Sequence, residues 1–411
     1  MKPNSPGLVL GVALASFLST PFSIAECTLS SFEDGQVASA EEINCNFQVL
    51  ESEISALSAA TPPGRPTVIH VAKEGGDYDS LTTALGNLSP PVIVGGPVLV
   101  KIAPGVYQES VTSDILNNNV FIEGSGKGVT VLEYAQPEAA IVMEDSVLKS
   151  GLSDLTIRNT AGPGIMLSAT NTSFIPNHDE SSFYINNVEV NVSAPGTVTA
   201  IDISGPIWVT VTSSDVQAYA TASGFTAVNG IKLDGLMEFK LSNSRVWANG
   251  GLLTQTFVSQ DTRTITLSDS DFKISRLLQE LGAYSNLVSA ADGINIADST
   301  QSRSGYRLRG LSVVAESSEA AGTGRGIVAT AGARVDVYAS NIYAASGADT
   351  TAYAADANGA DGTVGSRIDI IGSRAVGERR CTNGCRNVCF LSSIIPDDTS
   401  GDVCTGVSLP P

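Results

Sequence analysis

Residues 239–246 read FKLSNSRV. Phe239, Leu241 and Val246 are apolar, while Lys240 and Arg245 between them are charged. Alternation of this kind puts one set of side chains inside and the other outside a short strand. Asn243 interrupts it at a place that suits a left-handed bend, a conformation Asn, Asp and Gly tolerate best. The stretch therefore predicts two short strands meeting at a sharp corner.

The same unit recurs along the chain. It appears as FYINNVEV at 183–190, VTVTSSDV at 209–216, ITLSDSDF at 265–272, YRLRGLSV at 306–313, VDVYASNI at 335–342 and IDIIGSRA at 368–375. SGLSDLTI at 150–157 is a first copy. The bend place is held by Asp154, Asn187, Ser213, Asn243, Asp269, Gly310, Ala339 and Gly372, with gaps of 33, 26, 30, 26, 41, 29 and 33 residues. A second punctuation ends many units: Gly164-Ile165, Ala200-Ile201, Gly230-Ile231, Gly293-Ile294 and Gly326-Ile327. Repeats of about thirty residues that are strand-rich predict a right-handed parallel β-helix of about eight or more coils. The uneven gaps place loops of different length at one corner. The longest gap holds ISRLLQELGAYSNLV at 274–288, whose leucines suggest a short amphipathic helix.

Composition agrees with many short strands: 40 glycines in 411 residues, 16% charged and 6% aromatic side chains. The net charge of −19 repels nucleic acid and anionic membranes. It leaves room for Ca²⁺ in acidic loops, but no compact ligand motif appears, so no cofactor is assigned. Histidine occurs only at His70 and His178, which leaves His-based triads and metal sites poorly supplied. EGSGKG at 123–128 lacks the phosphate-loop pattern and reads as a turn.

Four segments follow. Residues 1–25 carry Lys2, the apolar GLVLGVALASFL and a small-residue end at Ser23 to Ala25, the pattern of a signal peptide, so the mature chain is expected to be exported, with no membrane span. In 26–66, the capping box SAEE at 39–42 opens a helix whose apolar residues Ile43, Phe47, Leu50, Ile54 and Leu57 step by 4, 3, 4 and 3. Residues 43–57 are either a self-associating stalk or a helix lying on the chain's own body. Pro62, Pro63 and Pro66 close the segment. The β-helix occupies 67–378, with a helix at 79–88 over its first coil. A Cys-rich cap fills 379–411. Cys27 and Cys45 are expected to pair with each other, whereas Cys381, Cys385, Cys389 and Cys404 allow three disulfide connectivities, or a zinc site that oxidising export disfavours.

Residues 68–132 resemble the start of the pectin methylesterases. VAKEGGDYDSLTTAL, VKIAPGVYQESV and NNNVFIEGSGKGVTVL carry the likeness, and Gly105, Tyr107 and Glu109 match the family's Gly-x-Tyr-x-Glu. The resemblance implies the parallel β-helix shared with pectate lyases. Gln260-Asp261-Thr262 matches the family's Gln-Asp-Thr, which would make Asp261 an acid and Gln260 an oxyanion donor. Asp271-Phe272 echoes the motif that holds the nucleophile, but only ten residues separate Asp261 from Asp271. The family's Leu-Gly-Arg-Pro-Trp and Gln-Ala motifs are missing. Asp271 has a second reading, because Asp215, Arg245 and Asp271 share one outward place in successive units and suit an Asp–Arg–Asp ladder. Trp247, Tyr306 and Tyr338 are candidates for stacking on sugar rings. The leading expectation is an exported, non-catalytic β-helix contacting polysaccharide or a cell surface. A divergent pectinesterase-like carboxylic ester hydrolase and a structural fibre protein are the alternatives, and fold alone does not choose among them.

Overall fold

The eight bend positions all adopt a left-handed backbone, with φ of 55° at Asp154, 53° at Asn187, 52° at Ser213, 49° at Asn243, 48° at Asp269, 64° at Gly310, 47° at Ala339 and 60° at Gly372. This holds in a computed structural model that describes residues 39, 43–50, 67–88, 97–113, 119–144, 149–169, 182–221, 227–250, 253–262, 265–274, 290–297, 305–316, 323–331, 333–345, 352–358, 366–376, 378–382 and 387–390. Two compact units are distinguished, Met1–Pro62 and Pro63–Pro411.

The second unit is an all-β parallel solenoid with three faces. A first face precedes the bend and a second follows it. The strands Ser150–Asn159 and Ser182–Ala194 run through the bend and join the two faces into one 20-stranded sheet. The third face is a separate ten-stranded parallel sheet. Register is kept from coil to coil: Phe239 pairs with Ile265 and Ile265 with Tyr306 on the first face, and Val246 with Phe272 on the second. Because every coil repeats the same inward places, the core is a stack of like side chains. Phe257 packs between Phe239 and Phe272, with ring centroids 5.6 and 6.1 Å away.

A serine ladder fixes the corner. Ser214, Ser244, Ser270, Ser340 and Ser373 each follow a bend residue and are buried. Each hydroxyl donates to a carbonyl two residues back, Ser244 to Ser242 O at 2.8 Å and Ser270 to Ser268 O at 2.7 Å. Each also accepts an amide from the preceding coil, Ser214 N to Ser244 Oγ and Ser244 N to Ser270 Oγ, both at 3.1 Å. Backbone groups that the bend removes from the strand ladders are thereby paired. The Gly–Ile punctuation has an equally local cause: a Cβ at Gly230 or Gly293 would collide with Val246 or Val313 of the facing strand.

The helix expected at 79–88 is Leu81–Gly86, capped by Ser80 and burying Leu81, Ala84 and Leu85. In the first unit, residues 43–50 are helical, and the Ile43 amide donates to Ser39 O at 3.1 Å, the backbone bond of a first helical turn. Ile43, Phe47 and Leu50 are exposed. Cys45 is disulfide-bonded. The leader, Cys27, Cys385, Cys404, the rest of the stalk and the helix expected within 274–288 lie outside the described residues, as do the side chains of Cys381 and Cys389. Among the described residues no helix is long and apolar enough to cross a membrane.

Candidate functional site

The residues that carry the resemblance build the entrance of the solenoid. Tyr107 is fully buried, and its hydroxyl donates to Ala103 O at 3.1 Å. Glu109 caps the Leu81–Gly86 helix, accepting the Ser80 hydroxyl at 2.6 Å and the Leu81 and Thr82 amides at 2.9 and 3.0 Å. Partial burial pushes the Glu109 carboxyl up, but those bonds together outweigh it and hold it below the usual carboxylate range. This motif is scaffold, and it contributes no open reactive group.

Gln260, Asp261 and Asp271 do not converge. Gln260 is exposed at the end of the third-face strand Leu253–Gln260, in register with Asp234 and Ala297. Asp261 follows it with φ 53°, at the corner filled in other coils by Gly205, Gly235 and Ala331, all with positive φ. Its side-chain type therefore suits a corner that Asn, Asp and Gly serve. Asp271 opens the second-face strand Asp271–Ile274. The strand Ile265–Ser268 lies between the two carboxylates, and four extended residues span about 13 Å. A nucleophile and acid sharing one ester would need to be far closer.

Of the Asp–Arg–Asp ladder expected on the second face, one rung is formed among the described residues, between Asp215 and Arg245, and no ion pair joins Arg245 to Asp271. Asp215, Arg245 and Asp271 are in register. Arg245 Nε lies 2.6 Å from Asp215 Oδ1, and Lys127 Nζ reaches across to Asp215 Oδ2 at 2.9 Å and to Ser213 O at 2.7 Å. Burial pushes the Asp215 carboxyl up, and the hydrogen bonds and charges of Arg245 and Lys127 bring it to a net value below the ordinary one. Lys127 belongs to the EGSGKG turn, so that turn acts as a strap over the face.

The aromatic candidates separate. Tyr306 is corrected: it is fully buried, and its hydroxyl donates to Thr262 O at 2.9 Å. It shares the inward parity of Leu308 and cannot meet a glycan. Trp247 is half-buried on the second face, with the Arg245 guanidinium 5.7 Å from its ring centroid and with Gln217 and Lys273 as register neighbours. Tyr338 lies on the first face. There it lines an open groove of about 750 Å³ with Thr266, Ser268, Arg307, Arg309 and Asp336. The groove runs over four successive strands, Ile265–Ser268, Gly305–Arg309, Arg334–Tyr338 and Arg367–Ile371.

One cluster escaped the sequence reading. Thr199, Asn229, Gln255, Asp292 and Arg325 form a register column on the third face. Asp292 has no exposed surface, yet it accepts Arg325 Nε at 2.7 Å, Arg325 Nη2 at 2.8 Å and Gln255 Nε2 at 3.0 Å. Arg325 Nη1 also faces Asp356 Oδ2 at 3.5 Å, and Asp356 is 1% exposed. The signal was available: the residue two before Ile201, Ile231, Ile294 and Ile327 of the second punctuation is polar, as is the one two before Phe257, which shares their register. Every oxygen of Asp292 is engaged, so the cluster works as an internal clamp between coils.

No family model matches the chain. Among curated proteins it is 29% identical over 135 residues to a putative pectinesterase/pectinesterase inhibitor of Arabidopsis thaliana, a match covering 31% of this chain and 28% of that protein. The chain thus spans under a third of that relative's length. Among solved structures, the mannuronan C-5 epimerase A-module of Azotobacter vinelandii aligns at 13% identity and a TM-score of 0.41, over 74% of this chain and 90% of the module. Carrot pectin methylesterase aligns at 11% identity and 0.31, over 74% and 88%. A bacteriophage tailspike protein 2 aligns at 15% and 0.41, over 73% and 38%. The chain's own strand pairing, together with the stretch it shares with the plant pectinesterase, gives it a parallel β-helix fold of the pectin methylesterase and pectate lyase kind.

Proposed function

We propose that the chain is exported and, without catalysing a reaction, holds a polysaccharide along the first face of its solenoid. The observation that carries this reading is the groove, which pairs the Tyr338 ring with the Thr266 and Ser268 hydroxyls and with two guanidinium groups on an open lane. An apolar ring face beside hydroxyl and charged donors suits a sugar. Tyr338→Ala should lower affinity for a bound glycan about tenfold in affinity electrophoresis, while unfolding temperature is unchanged. Equal migration of wild type and variant through every glycan tested would sink the reading.

The esterase alternative keeps one support, the stretch shared with the plant pectinesterase, and it has to contend with the separation of Asp261 and Asp271. Methanol release from methyl-esterified pectin, abolished by Asp261→Ala, would establish it and displace the binding reading. The exposed Ile43, Phe47 and Leu50 support self-association through residues 43–57. Sedimentation of the full chain checks this, with Phe47→Asp expected to yield monomer.

A further inference from the structure

Charge along the chain is divided unequally. Residues 1–300 hold 13 Lys and Arg against 31 Asp and Glu, while residues 301–411 hold 10 against 11. Beyond Lys273 every basic side chain is an arginine. Three of the four strands under the groove belong to the near-neutral part. On its strands Arg334 Nε stands 3.7 Å from Asp336 and Arg367 Nε 2.8 Å from Asp369, so both acids already face a guanidinium. Arg307 and Arg309 are exposed, and among the described residues neither has an ion-pair partner. They alternate with Tyr306 and Leu308 on one strand, so both project outward, about 7 Å apart along the chain. Ser268 and Tyr338 flank Arg309 in register, and Thr266 and Asp336 flank Arg307.

Resting on the groove as a glycan site, we infer that its ligand is an anionic polysaccharide, whose carboxylate or sulfate group is held between Arg307 and Arg309 while the neighbouring sugar lies on Tyr338. Among the described residues the two guanidinium groups, on an otherwise acidic protein, take part in no ion pair. Their planar fork fits a carboxylate or sulfate better than a lysine would. The spacing between coils, about 4.8 Å, is close to the length of one sugar, so an anion on the arginine strand sets a ring onto the tyrosine strand. The surrounding negative charge sharpens the choice, because an acidic polymer is attracted only where the arginines offset the field. The site lies on a different face from Gln260 and Asp261.

The test compares the full chain's affinity for soluble polygalacturonate and for the same polymer fully methyl-esterified, at low and high salt, with duplex DNA as an anion of unrelated shape. Wild type should prefer the acidic polymer by tenfold or more, and salt should erode that preference. In the double variant Arg307→Gln/Arg309→Gln the preference should fall to about one, with methyl-ester binding and unfolding temperature unchanged. Arg245→Gln on the second face should leave it intact. A preference that survives the double variant, equal binding of both polymers by wild type, or equally tight DNA binding overturns the anion assignment while leaving the groove in place. Binding of neither polymer overturns the groove reading as well.

Discussion

Two Asp–Arg pairs stand on different faces of the same solenoid, alike in contact distance and unlike in burial. On the second face, Asp215 holds Arg245 at 2.6 Å with 56% of the arginine side chain exposed. On the third face, Asp292 holds Arg325 at 2.7 Å, with the arginine side chain 25% exposed and the carboxylate wholly buried. The contact distances are alike, yet the physics is not. Water screens the first pair and competes for its hydrogen bonds, so it is expected to contribute about 0–1 kcal/mol. The second cannot lose one member without leaving a charge in a place water does not reach. Contact geometry alone therefore does not rank the two; accessibility does.

The largest effect should come from breaking the buried set. Arg325→Leu removes the ionic partner of the fully buried Asp292 and is expected to destabilise by about 3–5 kcal/mol, read as a fall in denaturation midpoint. Equality with the matched Arg245→Leu change would break the comparison. A neutral version of the same vertical linkage lies in the serine ladder: Ser244→Ala removes the acceptor of the Ser214 amide and the donor to Ser242 O, and should cost about 1–3 kcal/mol. Acid sharpens the contrast further. Asp215 and Glu109 both titrate below their ordinary values in the folded chain, so the stability they contribute is full above the usual carboxylate range, about pH 4, and is lost as pH falls through their lowered folded values. Unfolding temperature should drop below about pH 4, and less steeply in Arg245→Gln. Ala339→Gly should raise stability by up to about 1 kcal/mol, because Ala339 holds φ 47° without the freedom glycine has. Arg245→Leu itself should move the midpoint least, within about 1 kcal/mol, and the shift should shrink in high salt.

The bends and strands were legible because they rest on local chemistry. A left-handed residue every thirty or so positions, with alternation on either side, leaves a mark that no tertiary contact has to supply, and all eight positions kept it. Ser213 and Ala339 fit least well by type, yet the stack imposes the same backbone on them. Sites were harder to read, since they depend on which loops cover a column. Asp292 and Arg325 read as solvated charges until their burial is known. Tyr306 misled in the opposite sense: its aromatic ring suggested a sugar platform, while its parity with Leu308 already marked it as inward. Gln260-Asp261-Thr262 matched a motif by letter, but the positive φ of Asp261 shows the corner that the middle residue occupies.

The bend column also works as a ruler. Every strand pair is measured outward from a single left-handed residue and its buried neighbour, while the residues that vary in number, from 26 to 41 per coil, are all accommodated away from it. Insertions and deletions at the far corners leave the count from the bend untouched, so the core register survives them. A chain built this way can rewrite the rim of its surface coil by coil, exchanging one loop length for another, while its interior never needs to be redesigned.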